Sequence, residues 1–193
     1  MFRASRRRTR IAIHAELDRI LRSADEIERR ITELGEVISA DLDRIGPAEG
    51  IVLVPVMTGA IIFVADLVRH LPQKIRIKLV TVTSYPGPST TSQGASIIGA
   101  RPEDLTGRHV LVVADILDSG CTVRLLREAR SGRNPASLRV CVLLRKERPE
   151  AMATSCEYVG FDIPDEFVVG YGLDYDDLYR NLPYVGTLRA EAQ

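Results

Sequence analysis

A run of β-branched apolar residues ending abruptly in carboxylates and small residues constrains this chain more than any other feature. It lies in RHVLVVADILDSGCTVRLLREAR, Arg108 to Arg130. Val110 to Val113 has the continuous apolar character of a strand buried on both faces of a parallel sheet. Asp115 and Asp118 follow, then Ser119-Gly120-Cys121-Thr122, then a breaker-free run of helix formers from Val123 to Arg130. Strand, acidic corner, small-residue loop and helix is how an α/β sheet holds a phosphate. Backbone N–H groups of the loop and helix start offer partial positive charge, and the hydroxyls of Ser119 and Thr122 add donors. Phosphate alone gives two carboxylates nothing to do there. They point to a ligand that also carries hydroxyls, to a metal, or to a proton to be moved.

The rest of the chain supplies a frame for such a loop. Ser23-Ala24-Asp25-Glu26 has the spacing of a capping box. Ile27, Ile31, Leu34 and Ile38 then recur at helical spacing, predicting an amphipathic helix from Ala24 to Leu42. Ile51 to Val56 reads as a buried strand, with Pro55 confined near its end. Met57-Thr58-Gly59-Ala60 turns the chain into a second helix, about Ile61 to His70. Ile75, Ile77 and Leu79 alternate with Arg76, Lys78 and Val80 in one strand running to about Ser84. Tyr85 to Gln93 (YPGPSTTSQ) has no apolar pattern and the composition of a connection or a lid. Short strands are expected at Ala95 to Ile98 and Leu138 to Leu144, and two aromatic and β-branched runs between Tyr158 and Tyr171 are divided by Pro164. Strands alternating with helices predict an α/β domain with a mostly parallel twisted sheet flanked by helices.

Ligands of such sheets sit at the carboxyl ends of the strands. Those ends carry Thr58-Gly59, Ser84-Tyr85, Asp115 to Asp118, and Arg145-Lys146. Lys146 offers an ammonium on a flexible stem.

Composition narrows the partners. The 26 basic and 26 acidic residues cancel, so global charge gives nucleic acid no attraction. Cys121, Cys141 and Cys156 are odd in number and lack metal-site spacing, which suits a reducing, cytoplasmic setting. No apolar run approaches the ~20 residues of a membrane span. The arginine-rich N-terminus is read as a frayed or locally paired terminus rather than a basic arm. His14, His70 and His109 form no catalytic or metal set.

Three quoted stretches resemble a known family. VVADILDSGCT (Val112 to Thr122) resembles the phosphoribosyl-pyrophosphate motif of the type I phosphoribosyltransferases. FVVGYGLDYDDLYRNLPYVG (Phe167 to Gly186) resembles the C-terminal signature of the hypoxanthine-guanine branch, and ILRSADEIERRITELGEVISADL (Ile20 to Leu42) is similar to that branch's N-terminal helix. The resemblance implies one phosphoribosyltransferase domain over residues 20–193, with a small hood from the N- and C-terminal segments and a flexible extension over 1–19. It implies Mg²⁺-dependent transfer of ribose 5-phosphate from phosphoribosyl pyrophosphate to a 6-oxopurine, in a homodimer or homotetramer.

The residue roles it implies are these. Asp118 matches the general base near purine N7, although outside the motif it also reads as a helix N-cap. Asp115 faces the ribose hydroxyls, directly or through Mg²⁺, and Ser119, Gly120, Cys121 and Thr122 hold the 5′-phosphate. Lys146 donates to the purine O6, Phe167 stacks on the base, and the Val168 backbone reads its edge. Asp174 matches a Mg²⁺-associated carboxylate. Arg180 matches a pyrophosphate contact, and Thr58-Gly59 the pyrophosphate loop. Ser84-Tyr85 falls where the family begins its lid. Asp176 and Asp177 read as a solvated acidic face.

Two positions depart from the pattern. Ala114 stands where the family has Glu, and Met57-Thr58-Gly59 where it has Leu-Lys-Gly or Leu-Arg-Gly. Weaker or altered substrate affinity is the expectation. The same losses keep a catalytically weak, nucleotide-binding regulator in view, and a phosphoribosyltransferase for another base is a third reading.

Overall fold

A computed structural model describes residues 15–45, 50–83, 96–99, 105–129 and 134–192. Its main sheet is built from β2 (Ile51–Met57), β3 (Ile75–Ile77), β4 (Val80–Thr83), β5 (Ser96–Gly99), β6 (His109–Leu117), β7 (Ser137–Lys146) and β8 (Tyr158–Ile163). The order is β5-β4-β2-β6-β7-β8, with β3 also beside β2. Every pairing is parallel except the β4–β5 edge. A smaller antiparallel sheet joins β1 (Leu17–Arg22), β10 (Val185–Leu188) and β9 (Val168–Val169). This is the expected hood, drawn from both ends of the described chain.

Side-chain alternation along the strands divides the interior into two layers. Leu53, Leu111, Val113, Cys141 and Leu143 face α1 (Ala24–Arg44) and α2 (Ile61–Leu67), meeting Ile27, Ile31, Ile38, Phe63 and Leu67. Val52, Val54, Val110, Val112, Val140 and Val142 face the other way, packing with Val123 and Leu126 of α3 (Cys121–Ala129). The central strands are therefore apolar on both faces, as parallel strands covered by helices must be. α1 opens with the predicted capping box: the Ser23 hydroxyl accepts from the Glu26 N–H, and the Glu26 carboxylate accepts from the Ser23 N–H at 2.7 Å.

Several sequence expectations need correcting. Leu17 to Arg19, assigned to an extension, begin β1: Leu17 pairs with Leu188 and Arg19 with Thr187. Ile20 to Arg22 belong to the same strand rather than to the N-terminal helix. The single strand expected from Ile75 to Ser84 is two, β3 and β4, both alongside β2. Pro55 lies inside β2, in the interval between Leu53, the last β3 partner, and Val56, the first β4 partner. A proline lacks the N–H that a ladder uses, and this handover is where β2 can do without it. β6 runs on to Leu117, so Asp115 is part of a strand and not of the loop beyond it. A short helix, α4 (Pro149–Met152), was not expected. Ser84, Tyr85 and the lid-like stretch to Gln93 lie outside the described residues.

Candidate active site

The carboxyl ends of β2, β6 and β7 bring most of the expected residues to one edge of the sheet. β6 delivers Asp115 and then Asp118, and the chain turns through Ser119 and Gly120 into α3. Residues 114–123 line a pocket of about 220 Å³. The Ser119 hydroxyl accepts from the Cys121 N–H at 3.4 Å, and the Arg124 guanidinium lies 3.2 Å from the Cys121 sulfur. A separate side-chain interaction of the Ser119 hydroxyl with the sulfur, aided by Arg124, holds the exposed Cys121 thiol below its ordinary value. Ala114 is buried in the same lining, a methyl group where a carboxylate is expected.

Asp118 does not cap α3, which begins at Cys121. Its carboxylate is held from the other side. One oxygen accepts from Arg148 Nη1 at 2.5 Å, and the other lies 3.7 Å from Lys146 Nζ. Lys146 also meets Asp165 at 3.2 Å, and Arg148 Nε lies 3.8 Å from the same carboxylate. With Glu150, 3.4 Å from Arg148 Nε, the result is a cluster of two cations and three carboxylates beyond the ends of β6 and β7. Arg148 and Asp165 were missed by the sequence reading. Arg148 follows Lys146 by two residues and could have been suspected as a second cation; Asp165 carries no local signal.

Two residues beyond Asp165, Phe167 is 48% exposed, with its ring set edge-on to Tyr175 at a centroid distance of 5.6 Å. A large aromatic ring half in solvent beside a charged cluster is available for stacking. Val168 is buried, its backbone held by pairing with Thr187 in the hood.

Asp115 sits against Gly59, in the turn that follows β2. A Cβ on Gly59 would lie 1.7 Å from Asp115 Oδ2, so any larger residue there must displace that carboxylate. A Cβ on Gly172 would lie 2.1 Å from the Gly59 carbonyl oxygen. Gly59 is thus clamped between the Asp115 carboxylate and the Gly172 backbone. Burial pushes the Asp115 carboxyl up from the ordinary carboxylate value, its own backbone contacts and Arg180 oppose the shift, and the negative charge of Asp174 adds to it. Asp115 and Asp174 therefore share one electrostatic neighbourhood. Thr58 is exposed beside them, joined to Met57 by a cis peptide bond.

Arg180 clasps the loop that carries Asp174. It bonds the Gly172 carbonyl at 2.8 Å, Asp174 at 2.8 Å and Asp177 at 2.9 Å. The Asp177 N–H also donates to Asp174, at 2.9 Å. Asp177 is thereby tied into the loop, although its side chain stays in solvent as expected. Among the described residues, no three His, Cys, Asp or Glu side chains converge as a metal cluster. Asp115 and Asp174 are hard oxygen donors of the kind magnesium takes alongside phosphate oxygens and water, and in this structure both Asp174 oxygens are engaged, by Arg180 and by the Asp177 N–H.

Comparison with known proteins agrees with this arrangement. Residues 21–176 match the phosphoribosyl transferase domain family. The hypoxanthine-guanine phosphoribosyltransferase of Mycobacterium tuberculosis is 46% identical over 178 residues, covering 90% of this chain and 87% of its own. The hypoxanthine phosphoribosyltransferase of Escherichia coli is 42% identical over 161 residues, covering 83% of this chain and 89% of its own. Among solved structures, a Staphylococcus aureus hypoxanthine phosphoribosyltransferase superposes with a TM-score of 0.84 at 34% identity, over 93% of this chain and 96% of that one. A Trypanosoma cruzi hypoxanthine phosphoribosyltransferase variant complexed with the product IMP gives 0.83 at 36% identity, over 91% and 93%. The chain belongs to the phosphoribosyltransferase family, in its hypoxanthine-guanine branch.

Proposed function

We propose that this protein is a purine salvage transferase that moves the 5-phosphoribosyl group of phosphoribosyl pyrophosphate to a 6-oxopurine, releasing pyrophosphate. Hypoxanthine, giving IMP, is the leading acceptor, with guanine and xanthine as further candidates. The observation that carries the reading is the division of the site into two parts. A small-residue phosphate pocket with Asp115 lies on one side of Asp118, and a cation-bearing cluster with an exposed aromatic ring lies on the other.

In this reading Ser119, Gly120, Cys121 and Thr122 bind the 5′-phosphate through backbone N–H groups and hydroxyls, and Asp115 accepts from the ribose hydroxyls. Phe167 stacks on the purine, Lys146 donates to its O6, and the Val168 backbone reads its edge. Cleavage of the anomeric C–O bond builds positive charge on the ribose as N9 of the base approaches. Asp118 takes a proton from the purine imidazole ring at N7, a role typically worth about 10²–10⁴-fold. In the structure described here that carboxylate is engaged by Arg148 and faces Lys146. Asp174 and Asp115 are the residues that would hold Mg²⁺, whose chemistry when bound is to neutralise charge on the departing pyrophosphate. Thr58 and Gly59 present backbone N–H groups to the same leaving group. Arg180 joins them on swinging away from Asp177, since its guanidinium is engaged within its own loop. Three free cysteines and the absence, among the described residues, of a membrane-length apolar helix accord with a cytoplasmic setting. A homodimer or homotetramer is expected, measurable by light scattering.

The buried methyl of Ala114 and the uncharged Thr58 favour a second reading, a nucleotide-binding regulator of the same fold with little turnover. One assay separates the two. The protein is incubated with phosphoribosyl pyrophosphate, Mg²⁺ and, in turn, hypoxanthine, guanine, xanthine, adenine, uracil and orotate. Nucleotide formed from the 6-oxopurines alone is the expected result. Tight nucleotide binding without turnover on any base supports the regulator and overturns the transferase.

A further inference from the structure

Tyr171 is buried, yet its backbone stands at φ +50° between Gly170 at +96° and Gly172 at +101°. Three successive residues with positive φ form a rare backbone path, and a bulky side chain in the middle of it needs surrounding structure to hold it there. The Tyr171 N–H donates to the Leu182 carbonyl and the Gly172 N–H to the Arg180 carbonyl, both at 2.9 Å. The side chain is fastened separately, its hydroxyl donating to the Asp66 carboxylate on α2. Burial and the adjoining Asp66 charge raise the phenol far above its ordinary value, so it stays a donor at any working pH.

Its two ends join the segments on either side of the proposed pyrophosphate position. α2 follows directly from Thr58, Gly59 and Ala60, and Asp66 is near its far end. Tyr171 comes just before Gly172, whose backbone touches the Gly59 carbonyl, and Asp174 lies two residues further on. The two segments therefore meet once through backbone at Gly59 and Gly172, and once through the Tyr171 hydroxyl. Packing does not complete the join. A cavity of about 440 Å³ is lined by Ile27, Ile31, Ile62 and Leu182 among others and by both partners of this hydrogen bond, Asp66 and Tyr171.

We propose that the Tyr171–Asp66 hydrogen bond is a strut setting the spacing between the Thr58-Gly59 loop and the Gly172–Asp174 segment. Tyr171 and Asp66 are then positioning residues for the pyrophosphate end of the substrate, although neither touches it. The proposal rests on the function given above.

The test compares Tyr171→Phe, Asp66→Ala, Asp66→Asn and the Tyr171→Phe/Asp66→Ala double variant with the parent. Measured for each are KM for phosphoribosyl pyrophosphate, KM for hypoxanthine, kcat and melting temperature. Tyr171→Phe and Asp66→Ala are expected to raise KM for phosphoribosyl pyrophosphate roughly tenfold, the scale of one hydrogen bond to a charged group. KM for hypoxanthine stays at the parental value. Asp66→Asn, whose amide oxygen still accepts from the phenol, retains parental KM, and the double variant is no worse than either single one. Unchanged KM for phosphoribosyl pyrophosphate in Tyr171→Phe overturns the strut. So does an Asp66→Asn variant as impaired as Asp66→Ala, or equal losses for both substrates. If the parent shows no turnover, the transferase reading fails by itself. Calorimetric titration of the same proteins with phosphoribosyl pyrophosphate and Mg²⁺ then reads the strut directly, with a roughly tenfold weaker Kd in Tyr171→Phe supporting it and an unchanged Kd, or a parent that does not bind, overturning it.

Discussion

Replacing Gly59 by Ala adds one methyl group at the most crowded point of the site. The added Cβ would stand 1.7 Å from Asp115 Oδ2 and 2.6 Å from its Cγ, distances at which something must give. No positive φ is involved at Gly59, so the objection to a side chain is spatial rather than torsional. Overpacking of this kind costs about 1–3 kcal/mol. For a chain of this size each kcal/mol lowers the melting temperature by about 2–4 °C, giving an expected fall of about 2–12 °C. The carboxylate that yields is the one assigned to the ribose, and a misplacement near 1 Å can cost on the order of 10²-fold in rate. Thermal melts and steady-state kinetics against phosphoribosyl pyrophosphate give both numbers. A Gly59→Ala/Asp115→Ala double variant isolates the cause. Removing Asp115 beyond Cβ leaves the nearest atom at 3.4 Å, an ordinary contact, so much of the lost stability should return while activity stays low. A Gly59→Ala protein with parental melting temperature and parental kinetics would refute the clamp. A double variant no more stable than Gly59→Ala would show that Asp115 is not the colliding group.

Other expectations follow from the same geometry. Asp118→Asn should lower kcat by about 10²–10⁴-fold with a folded, substrate-binding protein, and undiminished turnover would remove Asp118 from the base role. Ala114→Glu and Thr58→Lys should each tighten binding of phosphoribosyl pyrophosphate, measured by calorimetry; affinity no better than the parent's would mean that these departures are not what limits it. Cys121 should be the first thiol labelled by iodoacetamide, its rate rising with pH through a midpoint below that of a free thiol, since its thiolate is favoured by Ser119 and Arg124. Burial pushes Cys156 up to about 11 and Cys141 well above its ordinary value, so both should lag, and mass spectrometry showing either labelled first would contradict the reading. Phosphoribosyl pyrophosphate should slow the labelling of Cys121.

What could be read from sequence was whatever a local pattern encodes. The Ile27, Ile31, Leu34 and Ile38 spacing yielded α1, because one helical face buries as a unit. The continuous apolar run at Val110 yielded β6, because both of its faces are covered. β1 gave no such signal: of its residues only Leu17 is buried, and the strand exists through its pairing with β10 at the far end of the chain. The site divided the same way. Asp115, Asp118 and Lys146 were legible because they adjoin recognisable strand ends. Arg148 and Asp165 were not, since their meaning lies in ion pairs that connect separate loops. Gly59 was legible as a loop glycine, but its reason for being glycine is an atom of Asp115, which no spacing rule reports.

The hood also bears on the order in which a working site comes into being. The proposed phosphate side depends on β2, β6 and α3, and the strand pairings of β2 and β6 are complete once β7 has been made. The base side waits longer: Val168 is held by Thr187, and β10 is flanked on its other side by β1. Arg19 reaches across to Glu166, next to Phe167, so an early strand also meets the loop proposed to stack on the purine. During synthesis β1 must therefore wait for Val185–Leu188 before it can pair. A chain halted before Val185 would hold the strands that carry the proposed phosphate loop yet lack the partner that holds Val168, proposed to read the base.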